Sequence, residues 1–349
     1  MKYIRYVKDL VISKKILGLN TCIICNGERE SISFGYKSVV PNIEINDIDT
    51  LYDVASLTKV LTILPIICRL VDNHEISFNT RVKDILPEFK YGDITIYDVL
   101  IHQSGLPSSV NMKDKPQNKE AIISEIFKLD KEFDTGSKTM YSDIGYIVLG
   151  LLLERIYNLS LSDIANTEVF GKLNMNNTMY NPIDVERCAP TEYIDKTNTE
   201  VYRGVVHDWK ARMLEGVAGH AGVFSTADDM GNYMEMVLNR GYYNNKQFIS
   251  EELIELWFKT LAYEESANRF RSLWGITGNN RFVINGGSNT VSFHGFSGPS
   301  ISLDRENNIG ICLMANSVHP LRENKDNLNS ERQNISRLIY SDYTNKKTL

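Results

Sequence analysis

The chain has 349 residues, 42% of them hydrophobic and 23% charged. That length and balance accommodate a sizeable core and exclude a chain that is disordered throughout. Thirty-eight basic against forty-four acidic side chains leave a net charge of −6, which excludes a general binder of nucleic acid or anionic membrane, since both need a positive surface.

Residues 3–17 predict a short amphipathic helix with Ile4, Val7, Leu10 and Val11 on one face. Charges at Arg5, Lys8, Asp9, Lys14 and Lys15 interrupt the apolar stretch a signal peptide needs, so the expectation is a cytoplasmic protein. Thr21–Cys25 and Ser31–Tyr36 flank Asn26-Gly27 and predict a hairpin, because Asn-Gly tolerates the positive φ of a tight turn. The five cysteines, Cys22, Cys25, Cys68, Cys188 and Cys312, are scattered and odd in number, as expected of free thiols in a reducing compartment. On a strand Cys22 and Cys25 face opposite sides, so their CxxC spacing argues against a shared metal or redox role.

Residues 56–72 are apolar nearly all round and predict a buried helix, kinked at Pro65. Its apolar run, Val60 to Cys68, is far short of the roughly 20 residues a bilayer requires, and no membrane span is expected. From 76 to 215 the pattern is mostly helical, with candidates at 95–102, 119–128, 142–157 and 161–170 and a surface loop at 106–119. Thr226 with Asp229 opens a helix to about 239, and Ser250-Glu-Glu opens another to about 259. Strands are expected at 271–276, 281–284, 290–294, 299–304 and 308–315, and a closing helix at 329–341. Strands at both chain ends predict an α+β fold. Its antiparallel sheet is flanked by helices and forms one lobe from about 1–72 and 216–349, and a mostly helical lobe spans about 73–215, within a single domain. A cleft between the two is a common place for a site.

The strongest chemical signal is Ser56-Leu-Thr-Lys59, a spacing that occurs once in the chain. On a helix, positions i and i+3 share a face, so Lys59 can reach the Ser56 hydroxyl. A serine hydroxyl needs a base to become a nucleophile, and a lysine serves only when neutral. Burial and the positive helix end both lower its pKa. The bland alternative is a serine at a helix start beside a snorkelling lysine, though Leu57, Val60 and Leu61 make the surroundings of Lys59 apolar. Tyr141-Ser142-Asp143 precedes another apolar helix and offers a tyrosine as proton shuttle; otherwise it is a buried tyrosine followed by an N-cap. His294-Gly295-Phe296-Ser297-Gly298 ends a predicted strand, where glycine permits close approach of a ligand, or marks a bulge. His220 lies in a Gly-rich loop that could approach the site. His74, His102, His207 and His319 read as structural. No HExxH, GxGxxG or Walker A pattern is present, so neither a metal nor another cofactor is expected.

These elements resemble the serine β-lactamase and penicillin-binding-protein superfamily, nearest to class C β-lactamases and the related esterases and D-amino-acid peptidases. The similarity rests on Leu51 to Lys59, His102-Gln-Ser-Gly-Leu-Pro107, Tyr141 to Gly150 (with Asp143 where Asn is commoner), Val206-His-Asp-Trp and Gly219 to Asp229, and it spans nearly the whole chain. It implies a β-lactamase/transpeptidase-like fold and an acyl-enzyme hydrolase with Ser56 as nucleophile and Lys59 and Tyr141 handling the proton. It further implies Asp143, His294, Gly295 and Phe296 at the substrate, with the Ser56 and Phe296 N–H groups as oxyanion donors. The expected partner is a small-molecule or short-peptide substrate such as a β-lactam, a D-amino-acid peptide or a small ester; oligomeric state is left open. The alternatives are an esterase with little peptidase activity and an acyl-binding sensor that does not turn over. The third family motif, usually Lys-Thr-Gly or His-Thr-Gly, is altered. Phe293 holds the basic position and His294 is one residue off, pointing away unless a bulge returns it. A cavity without a fixed cation, and a preference for uncharged esters, is the resulting expectation.

Overall fold

The computed structural model describes residues 1–195, 199–280 and 282–344. Helix α1 (Lys2–Ile12) buries Tyr3, Val7 and Leu10. It stops short of the predicted residue 17 because Lys14 turns left-handed at φ 59°. Strands β1 (Gly18–Cys25) and β2 (Glu28–Ser38) form the predicted hairpin, with Asn26 at φ 51° and Gly27 at φ 85°. Both positive angles suit the twist of a two-residue turn.

After the short β3 (Glu44–Ile45), the rest of the sheet comes from the other end of the chain: β4 (Ala262–Glu264), β5 (Arg269–Arg271), β6 (Ile276–Thr277), β7 (Thr290–His294), β8 (Ser300–Asp304) and β9 (Ile309–Met314). The nine strands run β3-β2-β1-β9-β8-β7-β6-β5-β4, each antiparallel to its neighbour. The first long strand therefore pairs with the last, Cys22 opposite Cys312.

Both faces of the central strands are covered, which explains why every residue of β1 and β9 is buried. Leu19, Ile23, Cys25, Ile309, Ile311 and Leu313 face α1 and the long α7 (Lys325–Thr344). Their neighbours Cys22, Ile24, Cys312 and Met314 face the main core, as the two-residue period of a strand requires. Cys22 and Cys25 thus lie on opposite faces, and all five cysteines are free and buried.

The stretch 56–72 is not one kinked helix. A 3₁₀ turn (Ala55–Leu57) leads into a π turn (Lys59–Ile63), then α2 (Leu64–Asp72) with Pro65 in its first turn. Pro65 has no N–H to give, so the wider turn moves the break ahead of it, and a proline is tolerated at a helix start. Further on come α3 (Asp143–Tyr157), α4 (Trp209–Met213), α5 (Ala227–Leu238) and α6 (Glu251–Phe258), with the predicted helix at 119–128 in place. Between 76 and 215 the one strand among the described residues is Met179–Tyr180. The strand expected at 271–276 is two strands, β5 and β6, broken by a turn at 272–275. Of the strand expected at 281–284, residue 281 lies outside the described residues and 282–284 carry none. No single helix among the described residues is long and apolar enough to cross a membrane.

Candidate active site

Ser56 sits on the 3₁₀ turn ahead of the π turn. The residue before it, Ala55, is held at φ 46°, a conformation costly for any residue but glycine. Buried Asp53 holds it there: one carboxylate oxygen accepts from the Ala55 N–H at 2.8 Å and the other from the His207 N–H at 2.7 Å. The Lys59 side chain, fully buried at 0% exposure, donates to Ser56 Oγ at 3.1 Å, to Asp143 Oδ1 at 2.8 Å and to the His220 carbonyl at 3.2 Å. All three donor positions of its ammonium group are thereby used. Gly219 makes the last contact possible: a Cβ there would lie 2.0 Å from the Tyr146 carbonyl of α3.

Lys59 departs from the neutral lysine expected above. Burial pushes its pKa down, but Asp143 and Tyr141 outweigh it and hold the lysine above its ordinary value. Asp143 answers in kind. Burial pushes it up, yet Lys59, His220 and Lys210 bring it down to about 2. Asp143 stands at the start of α3, where Ser142 caps the helix. It is also 3.2 Å from Lys210, which pairs with Asp208 at 3.0 Å, and Asp208 meets the His220 ring at 2.8 Å. Two lysines and two aspartates therefore balance in a buried chain of charge. Asp143, Asp208 and His220 also have metal-ligand spacing, but the Lys59 and Lys210 ammonium groups already stand against both carboxylates.

Tyr141 lies over this pair, its ring centre 4.8 Å from Lys59 Nζ. His102 fixes the tyrosine's loop. Its ring lies tilted against that of Tyr141, centres 4.6 Å apart, and its Nδ1 accepts from the Ser142 N–H at 3.2 Å. Burial, with Arg271, Lys59 and Arg269 nearby, keeps His102 neutral, as an accepting ring nitrogen must be. His319 is structural too, bonded to Val39 and Thr191.

The end of β7 presses on the nucleophile turn: a Cβ on Gly295 would sit 2.3 Å from the Val54 carbonyl. Only glycine allows that approach, which brings Phe296 beside Ser56. Phe296 is 43% exposed and stacks on His207. Neither the Ser56 nor the Phe296 N–H has an acceptor among the described residues. Ser297 anchors the same loop by donating to the Asp53 carbonyl at 2.6 Å.

A cavity of about 250 Å³ opens here, lined by Ser56, Tyr141, Arg269, Arg271, Ile276, Phe293, His294 and Phe296. His294 reaches it without a bulge, since β7 pairs regularly with β8 (His294 opposite Ser300). The cavity wraps the strand's end, and both faces contribute. The His294 ring stacks 4.0 Å from Phe282. The expectation of a cavity without a fixed cation is corrected by Arg269 and Arg271, which arrive on β5, a strand whose bounds the sequence pattern obscured. A larger cavity, about 530 Å³, lies between α1, β2 and α7 and holds none of these groups.

The sequence model of the Beta-lactamase family matches residues 4–333. The chain belongs to the Beta-lactamase family. It is 31% identical over 316 residues to the N-acetylmuramyl-L-alanine amidase of Bacillus subtilis (strain 168), covering 80% of this chain and 71% of that protein. Among solved structures, the class C β-lactamase from Rhodobacter sphaeroides superposes with a TM-score of 0.76 at 16% identity, over 97% of this chain and 99% of that one. The octameric penicillin-binding protein homologue from Pyrococcus abyssi gives 0.72 at 22%, over 92% and 74%. The fold is thus β-lactamase/transpeptidase-like and α+β, and the chain is a β-lactamase-like member of a hydrolase family. Ser56, Tyr141, His294 and Phe296 line one cavity; Lys59 and Asp143 stand behind Ser56, and Gly295 packs on the nucleophile turn. Lys210, Asp208, Arg269 and Arg271 were not singled out beforehand; of these only Asp208 lay in a segment marked by the family resemblance.

Proposed function

We propose that this protein is a serine hydrolase working through an acyl-enzyme on an amide or ester. The observation that carries it is the buried Lys59 ammonium group 3.1 Å from Ser56 Oγ, beside two unclaimed backbone N–H groups. Ser56 Oγ attacks the carbonyl carbon, and the Ser56 and Phe296 N–H groups stabilise the oxyanion. Lys59 and Tyr141 act as a coupled pair. The pair accepts the Ser56 proton once it has itself released one proton, which Asp143 opposes by favouring the charged lysine. The leaving group takes that proton, and water then releases the acyl chain by the reverse route. The site sits between the sheet lobe, about 1–72 and 216–349, and the helical lobe, about 73–215, of one domain. The likeness to a curated amidase supports an amide as the bond attacked.

Ser56→Ala tests this. Intact-mass spectrometry after exposure to p-nitrophenyl butyrate and to a panel of β-lactams and D-Ala peptides should show an acyl adduct on the wild type and none on the variant, with little change in melting temperature. Ester turnover at the wild-type rate in the purified variant would remove Ser56 from the mechanism.

A further inference from the structure

The two N–H groups assigned to the oxyanion each belong to a turn that does not hold itself. The Ser56 N–H follows Ala55, whose φ of 46° is costly. The Phe296 N–H lies in Gly295-Phe-Ser-Gly298, and a loop with glycine at both ends has wide backbone freedom. Both turns are reached by one residue, His207, two positions before α4.

On the Ser56 side the link is the main chain. The His207 N–H donates to Asp53 Oδ2 at 2.7 Å, and Asp53 Oδ1 accepts from the Ala55 N–H at 2.8 Å. The buried carboxylate is gripped at both oxygens, which holds the Ala55–Ser56 peptide in place. On the Phe296 side the link is the ring. The imidazole lies on the Phe296 ring, centres 5.5 Å apart and planes 19° apart, a favourable aromatic geometry. The Lys325 ammonium group stands 4.4 Å from the same phenyl centre. Phe296 is 43% exposed, so without these neighbours its side chain would be free to turn. The imidazole plane is itself set. Its Nε2 lies 3.3 Å from Glu192 Oε2, which accepts from Arg322 Nε at 2.9 Å. Ser297, next to Phe296, donates to the Asp53 carbonyl at 2.6 Å, so the aspartate that His207 holds also ties the two turns together.

We propose that His207 is a positioning residue that aligns both oxyanion donors, its N–H through Asp53 and its ring through Phe296. This rests on the reading of Ser56 as the nucleophile. The histidine read as structural from the sequence then acts on the transition state. Acylation and deacylation both pass through a tetrahedral oxyanion, so misaligned donors slow the two steps alike. In that case kcat falls, while KM, set by ground-state binding and the ratio of the two steps, holds.

The ring is the part a substitution can remove. With p-nitrophenyl butyrate, His207→Ala should lower kcat by about tenfold or more, short of the 10²–10³ that follows outright loss of a donor, with KM nearly unchanged. Propylboronic acid, the boron counterpart of the butyryl group, takes Ser56 Oγ into a tetrahedral adduct with an oxygen in the same hole. Its inhibition constant should rise by the factor by which kcat/KM falls. His207→Phe, which keeps a stacked ring and loses the Glu192 contact, should recover most of both. A merely structural histidine would lower the folded fraction and kcat together and leave the inhibition constant of the folded enzyme unchanged, and that result overturns the alignment. So does an unchanged kcat in His207→Ala, or a His207→Phe enzyme as impaired as His207→Ala. If His207→Ala does not fold, His207→Leu, which fills the space without a ring, takes its place against His207→Phe. Absence of butyrate turnover in the wild type, or turnover that survives Ser56→Ala, would instead count against Ser56 as nucleophile.

Discussion

At Lys59 the resting protein keeps a proton where a base was expected, and one neighbour accounts for it. A carboxylate at position 143, 2.8 Å from Lys59 Nζ, favours the charged lysine as the commoner asparagine would not. Asp143→Asn should therefore lower the Lys59 pKa. The coupled pair would then lose its proton at lower pH, and the acidic limb of kcat/KM should move down. A pH–rate profile on both proteins decides it, and a limb that stays put or moves up would contradict the charge balance described. Ser56, Lys59 and Tyr141 were legible in the sequence because their chemistry is local: a three-residue spacing and a tyrosine two residues before a helix. Lys210 and Arg271 were not. Each has a local partner, Asp208 for the one and Glu264 for the other, but what brings it to the site is a residue distant in the chain, Asp143 and Tyr141 respectively, and no local spacing encodes such pairings.

Among the secondary elements, α1 and α7 show how the outer face of the sheet is held. Buried Glu331 of α7 bonds to Lys15 just beyond α1, to the Tyr6 hydroxyl of α1, and to Asn334 at 3.1 Å. Burial pushes the Glu331 carboxyl up, but Lys15, Tyr6 and Asn334 bring it down to about 2. A depressed carboxyl adds stability above its unfolded pKa of about 4.5, and that stability is lost as pH falls towards 2. Glu331→Gln should lower stability near neutral pH by about 1–3 kcal/mol and flatten its fall over that window, measured by thermal melts from pH 7 to 3. An unchanged acid slope would show that the clamp contributes nothing. The helix and strand pattern was read well where one period ran unbroken, as in β7 and α5. It failed where a turn shares the composition of its flanks. The Ser272–Gly275 turn hides between β5 and β6. The π turn at Lys59–Ile63 looks helical because it is helical, with a carbonyl, that of Val60, taken by the Tyr233 hydroxyl at 2.7 Å.

Across the whole molecule, the two ends of the chain meet at the site. Arg332 of α7, 1% exposed, donates to the Gly298 carbonyl and the Ser300 hydroxyl, so the closing helix braces the loop that carries Phe296. Arg332→Met should lower kcat more than it raises KM, by about tenfold or more, short of the 10²–10³ that follows outright loss of an oxyanion donor. Steady-state kinetics beside a melting curve would tell a misplaced loop from a globally weakened fold. Equal losses in kcat and in folded fraction would argue for the latter.

The pairing of β1 with β9 also sets an order in time. During vectorial synthesis the nucleophile emerges early, while its facing loop and the strand that completes β1 emerge long after it. Until then β1 presents an open edge and a face without its cover, the form most exposed to aggregation. Long-range pairing of this kind is slow to find. A chain stopped after residue 285, before β7, should leave Ser56 unlabelled by any acylating probe and should be retained by chaperones that bind open strands. The hydrolase would thus have no working precursor on the ribosome until β7 to β9 and the α7 brace have emerged.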